Sequence, residues 1–449
     1  MIKIRYLKDI SSQEKKNILS RKTLALDEVW NDTIAPMVTD FEKSPMDALA
    51  LYNKKFDGFH SSPAVMEREE MESHYLQVKK TSPETLEAFE MAMENIQEFH
   101  RQQIPSGFET RVAGNLLGFL FSPMERVALY VPGGKANYPS TVMMGVIPAT
   151  LAGVKEIVLL NPPQKETSQT IPVLAAIAWK TGVNRIVKSG GAQSILAAAF
   201  GVPELGLEPV DFIYGPGNKY VAAAKNYVFS RNIAGIDSYA GPSEVVILAD
   251  SSARPAYLAH DLMAQAEHDE DAMAILLTDD ADIARQTAEK IELILQRREK
   301  ENDGQHSQRL RITRDSIEKN GHIIITENLR GAVEFSNRFA PEHLEIQTRD
   351  NDGILNDITS AGSIFMGEYA PVAVGDYYSG TNHILPTGGA ARFSSGVSVH
   401  SFYKRITYQK ITRDGLERGV QPIVRMSQEE NLYDEHGISV EARFREDLC

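Results

Sequence analysis

Cysteine is almost missing from this chain of 449 residues: its one thiol is Cys449, the last residue. An intrachain disulfide is therefore excluded, which suits a reducing cytoplasm. A chain terminus is also a poor place for a nucleophilic thiol, so an aldehyde handled here would have to be attacked by water rather than by cysteine. Positive charge is in deficit: 47 Lys and Arg stand against 61 Asp and Glu, a net charge of −14. That surplus repels phosphate backbones and anionic membranes, so neither nucleic acid nor membrane is an expected partner. Long apolar runs are lacking too. The longest candidate, Val142–Val154, is interrupted by Gly145, Pro148 and Gly153 and falls short of the roughly 18–20 residues a membrane helix needs. It predicts a helix buried inside the protein. The opening MIKIRYLKDISSQEKK has lysines but no apolar stretch behind them, so no secretory signal is expected.

What is present is ordinary globular material, 42% hydrophobic and 24% charged, in a length that suggests two or three domains. The first 120 or so residues read as helical. Apolar positions recur at helical spacing through Ser82–Arg101, and Ser12 and Ser82 are candidate N-caps with Glu14 and Glu84 in the first turn. From residue 125 the texture changes. The runs RVALYV (126–131), EIVLL (156–160), RIVK (185–188), DFIY (211–214) and EVVIL (244–248) recur roughly 30 residues apart with Ala-rich segments between them, the period of βαβ units. They are continuously apolar rather than alternating, as parallel strands covered on both faces are. A second set comes after them, AMAILLT (272–278), HIIIT (322–326) and SIFM (363–366). The fold class is α/β with two lobes. KIELILQRREKENDG (290–304) reads as a solvated helix running into a loop, and the stretch from about Ser395 as a helical tail.

Four strand ends read as followed by glycine turns: Val131-Pro-Gly-Gly-Lys135, Ser189-Gly-Gly-Ala-Gln193, Gly215-Pro-Gly-Asn218 and Ala240-Gly-Pro-Ser243. Open parallel sheets bind ligands at the carboxyl ends of their strands, where such turns let backbone amides approach phosphates. Yet no G-x-G-x-x-G follows a strand, VPGGKANYPST lacks Walker spacing, and the strand at 156–160 ends in Asn161-Pro-Pro without the acidic ribose ligand. Spacing alone leaves a dinucleotide open. Gln265 and His268 lie three apart in a predicted helix and so can share one face. Asp376 and His383 fall in a Gly-rich loop after a strand, and His436 lies near the C-terminus. Gln265, His268, Asp376 and His436 offer N and O donors that suit zinc, though their spacing does not require it. Ala340-Pro-Glu342-His343 sets an acid beside an imidazole, two proton-transfer groups at one place.

Taken together and in order, YVPGGKANYPSTV, GGAQS, GPGNKYVAAAK, IDSYAGPSEV, QAEHD, APEHLEI, GDYYSGTNHILPT and RFSSGVSV–FYKR resemble the histidinol dehydrogenase family, most strongly over 125–410. The resemblance implies two incomplete Rossmann-like lobes with parallel sheets and helical N- and C-terminal extensions. It places an N-terminal extension at 1–25, a first lobe at 26–125 with 239–385, a second, NAD-binding lobe at 126–238, and a tail at 386–449 exchanged in a homodimer. It implies one Zn2+ per subunit on Gln265, His268, Asp376 and a partner-contributed His436. Tyr130, Gln193 and Asn218 then contact NAD, Glu342 activates water, and His343 takes the alcohol proton. Ser243, Gln265, His268, His343, Asp376, His383, Glu430 and His436 surround an amino alcohol, oxidised in two steps through its aldehyde. The family's glutamate four residues before Asp376 is here Val372, and its Glu-x-Leu-x-x-His motif is one residue longer, Glu430-Asn-Leu432-Tyr-Asp-Glu-His436, leaving Glu430 or Asn431 to face the substrate. These departures keep a second reading open, a related dehydrogenase for another small primary alcohol such as sulfopropanediol.

Overall fold

Runs of Val, Ile and Leu separated by Ala-rich helices build two six-stranded sheets. In the first, β5 (Arg126–Tyr130), β6 (Glu156–Leu160), β7 (Arg185–Val187), β8 (Phe212–Tyr214) and β9 (Gly235–Ile236) are parallel, ordered β7-β6-β5-β8-β9. β2 (Val65–Glu67) closes its edge antiparallel to β7. In the second, β10 (Glu244–Ala249), β11 (Met273–Thr278), β12 (Gly321–Ile325), β13 (His343–Gln347) and β14 (Ser363–Met366) take the same winding, and β1 (Lys3–Tyr6) adds a parallel edge beside β12. Each winding stops at its fifth strand, short of the sixth of a full dinucleotide fold, so both lobes are incomplete Rossmann-like units. The continuously apolar strands are buried along their length, β10, β12 and β13 at every residue. The helix Pro139–Ala152 is almost wholly buried as well and ends at Gly153 in the left-handed region, which places the longest apolar run of the sequence inside the protein.

This computed structural model describes residues 2–21, 29–58, 64–133, 138–164, 167–238, 241–301 and 307–445. Lys135, Ala240 and Cys449 lie outside them, as do 302–304 of the charged segment. By contacts the chain forms two units, Met1–Gln103 with Met124–Phe402, and Ile104–Pro123 with Tyr403–Cys449. Both lobes belong to the first. The second holds a three-stranded antiparallel sheet, β15 (Tyr403–Lys410), β4 (Asn115–Pro123) and β3 (Phe108–Val112), with the helices Arg413–Glu417 and Val420–Glu429. Among the described residues no helix is long and apolar enough to cross a membrane.

The structure corrects several expectations. The extension at 1–25 is not purely helical, because Lys3–Tyr6 pairs with β12. Its helix Ser12–Ser20 is capped by Ser11, whose side chain and Glu14 form a reciprocal capping box. Residues 29–52 pack chiefly with 126–238 rather than 239–385. Ile34, Met37, Phe41 and Leu49 share one core with Ala128, Leu160 and Val187, so they cover the first sheet. Residues 108–123 and 403–410 are strands in stretches read as helical. β3 is exposed at all five positions and so carries no hydrophobic period to betray it. The described part of 290–304 agrees with its reading: the helix runs Ala281–Lys300.

Candidate active site

The carboxyl edge of the first sheet carries a cavity of about 590 Å³. The segment after each central strand lines it: Gly133 after β5, Asn161–Gln164 after β6, Gly190–Gln193 after β7 and Asn218 after β8. Tyr130, Gln193 and Asn218, read separately from the sequence, all face it. Asn218 caps the helix Lys219–Ser230 through the N–H groups of Tyr220 and Val221. Tyr130 is buried, accepts the Gly191 N–H at 3.2 Å, and has its phenol pushed up to about 12 chiefly by burial. Gly215 is irreplaceable by geometry: at φ 108° a Cβ would stand 2.2 Å from the Tyr130 carbonyl oxygen.

The second sheet offers its opposite edge. Ser243 and Glu244 open β10, and Glu342 and His343 open β13, so parallel pairing of these strands sets the four side by side. The fourth glycine turn accordingly precedes a strand, whereas the other three come after strands of the first sheet. The helix Pro255–Ala266 returns to this edge with Gln265 in its last turn. His268 lies just past the helix end, its N–H donating to the Gln265 carbonyl, rather than within the helix as predicted. Asp376 is held on a short helix, Val372–Tyr377, not in a loop. The two edges meet: the Thr141 hydroxyl is 3.1 Å from His383 Nε2, and Asn382 donates to the Met144 carbonyl.

Backbone pairing fixes the state of His343. Its Nδ1 lies 3.2 Å from the Glu244 carbonyl oxygen, which can only accept, so the proton sits on Nδ1. Nε2 keeps its lone pair, buried and without a hydrogen-bond partner among the described residues, 4.0 Å from Asp376 Oδ1. Burial first, then the neighbouring His268 and His383, pushes this imidazole down to about 3. His383 is built the same way, donating from Nδ1 to the Asp376 carbonyl, and burial lowers it to about 4. Glu342 lies on the other side. Its Oε2 accepts the Glu244 N–H at 2.9 Å and its carboxyl also bonds Ser243, while burial drives it well above the usual carboxylate range. Asp376 is raised to about 7 by burial alone. Both polar atoms of the Gln265 side chain are buried without a partner among the described residues. Among the described residues, no three His, Cys, Asp or Glu side chains gather as a metal cluster on their own.

Glu430 and His436 lie in the other unit, both exposed. The extra residue before His436 has a visible accommodation. Leu432 donates to the Ser427 carbonyl and Ile438 to that of Tyr433, so the chain passes through π-type turns, each holding one residue more than an α-turn, with Asn431 at φ 56°.

Sequence reading missed three groups that shape the site. Arg21 forms a buried ion pair with Glu244 (2.5 Å), and burial pushes the Glu244 carboxyl up to about 7 against that pull. Glu345, Asp261 and Gln347 form a buried cluster beneath the site. Gln347 donates to both carboxyls, and Glu345 accepts the Val372 N–H that starts the Asp376 helix. Asp57 reaches into the cavity from the N-terminal segment. Their partners are far away in sequence, so no local spacing carries the signal.

A ligand-sized cavity at the edge of one Rossmann-like sheet and a buried imidazole and carboxyl at the edge of the other are what a two-lobed α/β oxidoreductase requires. The family pattern described as histidinol dehydrogenase matches residues 19–444. The chain is 44% identical over 415 residues to the histidinol dehydrogenase of Leptospira interrogans, covering 91% of this chain and 92% of that protein. It is 41% identical to that of Methanothermobacter thermautotrophicus, covering 96% of each. The solved histidinol dehydrogenase of Elizabethkingia anophelis superposes with a TM-score of 0.87 at 35% identity, over 98% of this chain and 97% of that one. The chain belongs to the histidinol dehydrogenase family.

Proposed function

We propose that the protein oxidises histidinol to histidine in two successive NAD-linked steps in the cytoplasm, as a zinc-bearing homodimer. The observation that carries this is the pair at the start of β13: a neutral imidazole with a fixed tautomer and an unpartnered Nε2, next to a buried carboxyl anchored by the Glu244 N–H and held by burial well above the usual carboxylate range. Oxidising a primary alcohol to an acid needs two different proton acceptors, one for the alcohol and one for the water that attacks the aldehyde. His343 Nε2 takes the hydroxyl proton, and the Glu244 carbonyl holds the ring so that this nitrogen alone is basic. Glu342, anchored by the Glu244 N–H and Ser243, takes the proton of water. Tyr130, Gln193 and Asn218 would hold NAD in the cavity they line, where it would supply the hydride acceptor for both steps.

The residues at the second edge fit a divalent cation. A buried amide with neither atom satisfied costs about 1–3 kcal/mol per group, and a buried carboxyl raised by desolvation alone lacks a counter-charge; Gln265 and Asp376 are such groups. Gln265, His268, Asp376 and the partner's His436 would hold Zn2+, which when bound orients the amino alcohol and polarises its oxygen. The dimer is supported by the small unit, which leaves Phe108, Val112, Leu120, Ile406, Met426 and Leu432 exposed, as exchanged extensions would before their partner covers them. Glu430 on that unit then meets the substrate from the neighbouring subunit. The departure at Val372 has a packing explanation: its side chain is buried in a core against the sheet of β10–β14. The diol reading therefore gains nothing from it.

The test is the NADH yield from a limiting amount of histidinol, with and without a chelator. Two NADH per histidinol, abolished by chelation and restored by zinc, is expected. One NADH with free aldehyde released would contradict the scheme.

A further inference from the structure

We infer that Glu345 is a positioning residue for the cation site. With Gln347 and Asp261 it ties together the three elements that carry His343, Gln265 and Asp376, and so sets how tightly zinc is held. The inference rests on the reading of Gln265, His268 and Asp376 as ligands. Alternate residues of a strand share a face, and one face of β13 carries His343, Glu345 and Gln347, all three buried. The residues paired with them on β10 are Val245, Ile247 and Ala249, part of an apolar core with Leu258, Leu262 and Val372. The other face of β13, Leu344 and Ile346, is apolar too. Burying a carboxyl and an amide among aliphatic side chains costs stability unless hydrogen bonds compensate, and here those bonds lead to the ligands.

Glu345 Oε1 accepts the N–H of Val372 at 3.1 Å, the first peptide of the helix Val372–Tyr377. That helix has only 6 residues, and Pro371 before it supplies no side-chain cap. The buried glutamate does the capping from the neighbouring strand, about one turn from Asp376. Glu345 Oε2 accepts the Gln347 amide at 2.8 Å, and the same amide donates to Asp261 at 2.9 Å. Asp261 lies in the helix Pro255–Ala266, four residues before Gln265 and so on the same helix face. His343 precedes Glu345 on the strand itself, its ring held by the Glu244 carbonyl.

One carboxyl thus braces a strand and two helices against each other, directly behind the residues that face the cation. None of the three bonds touches a ligand, yet a slip of any one element moves its ligand relative to the other two. Cation sites tolerate little of this, because the donors must be held within about 0.5 Å of their working positions. An aliphatic residue in place of Glu345 would fill the space and leave the helix of Asp376 uncapped at its first N–H.

The zinc-loaded, full-length protein is titrated with a chromophoric chelator to give its zinc dissociation constant, alongside E345A, E345Q, Q347L and the control I291A. Ile291 is buried in the same apolar core, on a helix that carries none of these residues. Thermal melts report folding for each. We expect E345A to weaken zinc binding by about 10–100-fold, as removal of an outer hydrogen bond behind metal ligands does. E345Q keeps an oxygen for the Val372 N–H and should restore most of that affinity. Q347L, which cuts the tie to Asp261, should fall between them. I291A should melt earlier and bind zinc like the parent. Parent-like affinity in E345A, or in Q347L where E345A does not fold, overturns the inference. So does an equal loss of affinity in I291A, which would mean general loosening. If H268A binds zinc as tightly as the parent, the ligand assignment itself is wrong, and the underlying reading falls whatever Glu345 does.

Discussion

The two lobes share one winding and use it in opposite directions. Around β5 the strands deliver glycine turns and helix starts to their carboxyl ends, and a cavity for an extended ligand opens there. Around β10 the same topology delivers buried titratable side chains to the amino ends, where Glu244, Glu342 and His343 are the first residues of strands or stand just before one. The physical difference lies in what each edge exposes. Carboxyl ends offer loop N–H groups suited to binding. Amino ends here offer side chains clamped by ladder hydrogen bonds, suited to holding a proton acceptor in one orientation. Topology therefore fixes where elements stand, and the residues at strand termini decide which edge becomes the site.

The sharpest way to separate the edges is Glu342→Gln. It should cut turnover by about 10²–10⁴-fold and flatten the acid limb of the pH profile, with NAD affinity measured by fluorescence titration left unchanged. A parallel loss of NAD affinity would mean that the edges do not divide the labour as described.

A smaller effect concerns acid. The stretch 126–238 contains no histidine, whereas the lobe built on β10–β14 holds His322, pushed down to about 4 chiefly by burial, with Arg5 adding to it. Below pH 6.5 the unfolded chain protonates this ring and the folded one does not, so stability drops as pH falls from 6.5 to 4, by roughly 1.4 kcal/mol per pH unit. In His322→Gln the difference between urea unfolding free energies at pH 7 and pH 4 should shrink by about 3 kcal/mol. An unchanged difference would refute this assignment.

The smallest expected change is Asn218→Ala, which removes a helix cap at the carboxyl edge of the first sheet. About 1 kcal/mol of stability should go, together with several-fold weaker NAD binding and unaltered zinc content by metal analysis. Loss of metal would instead tie the two edges together structurally.

Much of this architecture was legible because buried parallel strands are written as continuous apolar runs: β5, β6, β8, β10, β11 and β14 fall where those runs lie. β13 escaped because HLEIQ sets three buried polar residues among only two aliphatic ones. β3 escaped because an exposed strand has no inside face. Within the site, Glu342–His343 and Gln265-x-x-His268 were readable as local constellations, and Tyr130, Gln193 and Asn218 converge on one cavity. Arg21 on Glu244, Asp57 on Gly190 and Glu345 under Val372 were not readable. Each joins residues whose adjacency exists only after the sheets have formed.

The small antiparallel sheet has a consequence for how the molecule comes into being. Its central strand β4 emerges early in synthesis, yet the partner that pairs Tyr408 with Gly118 is made only near the end. During translation β4 must wait with one ladder edge open while the strands of both parallel lobes are synthesised. A nascent chain halted before β15 therefore carries a bare, phenylalanine-rich edge, the form of the protein most exposed to aggregation and most dependent on chaperones.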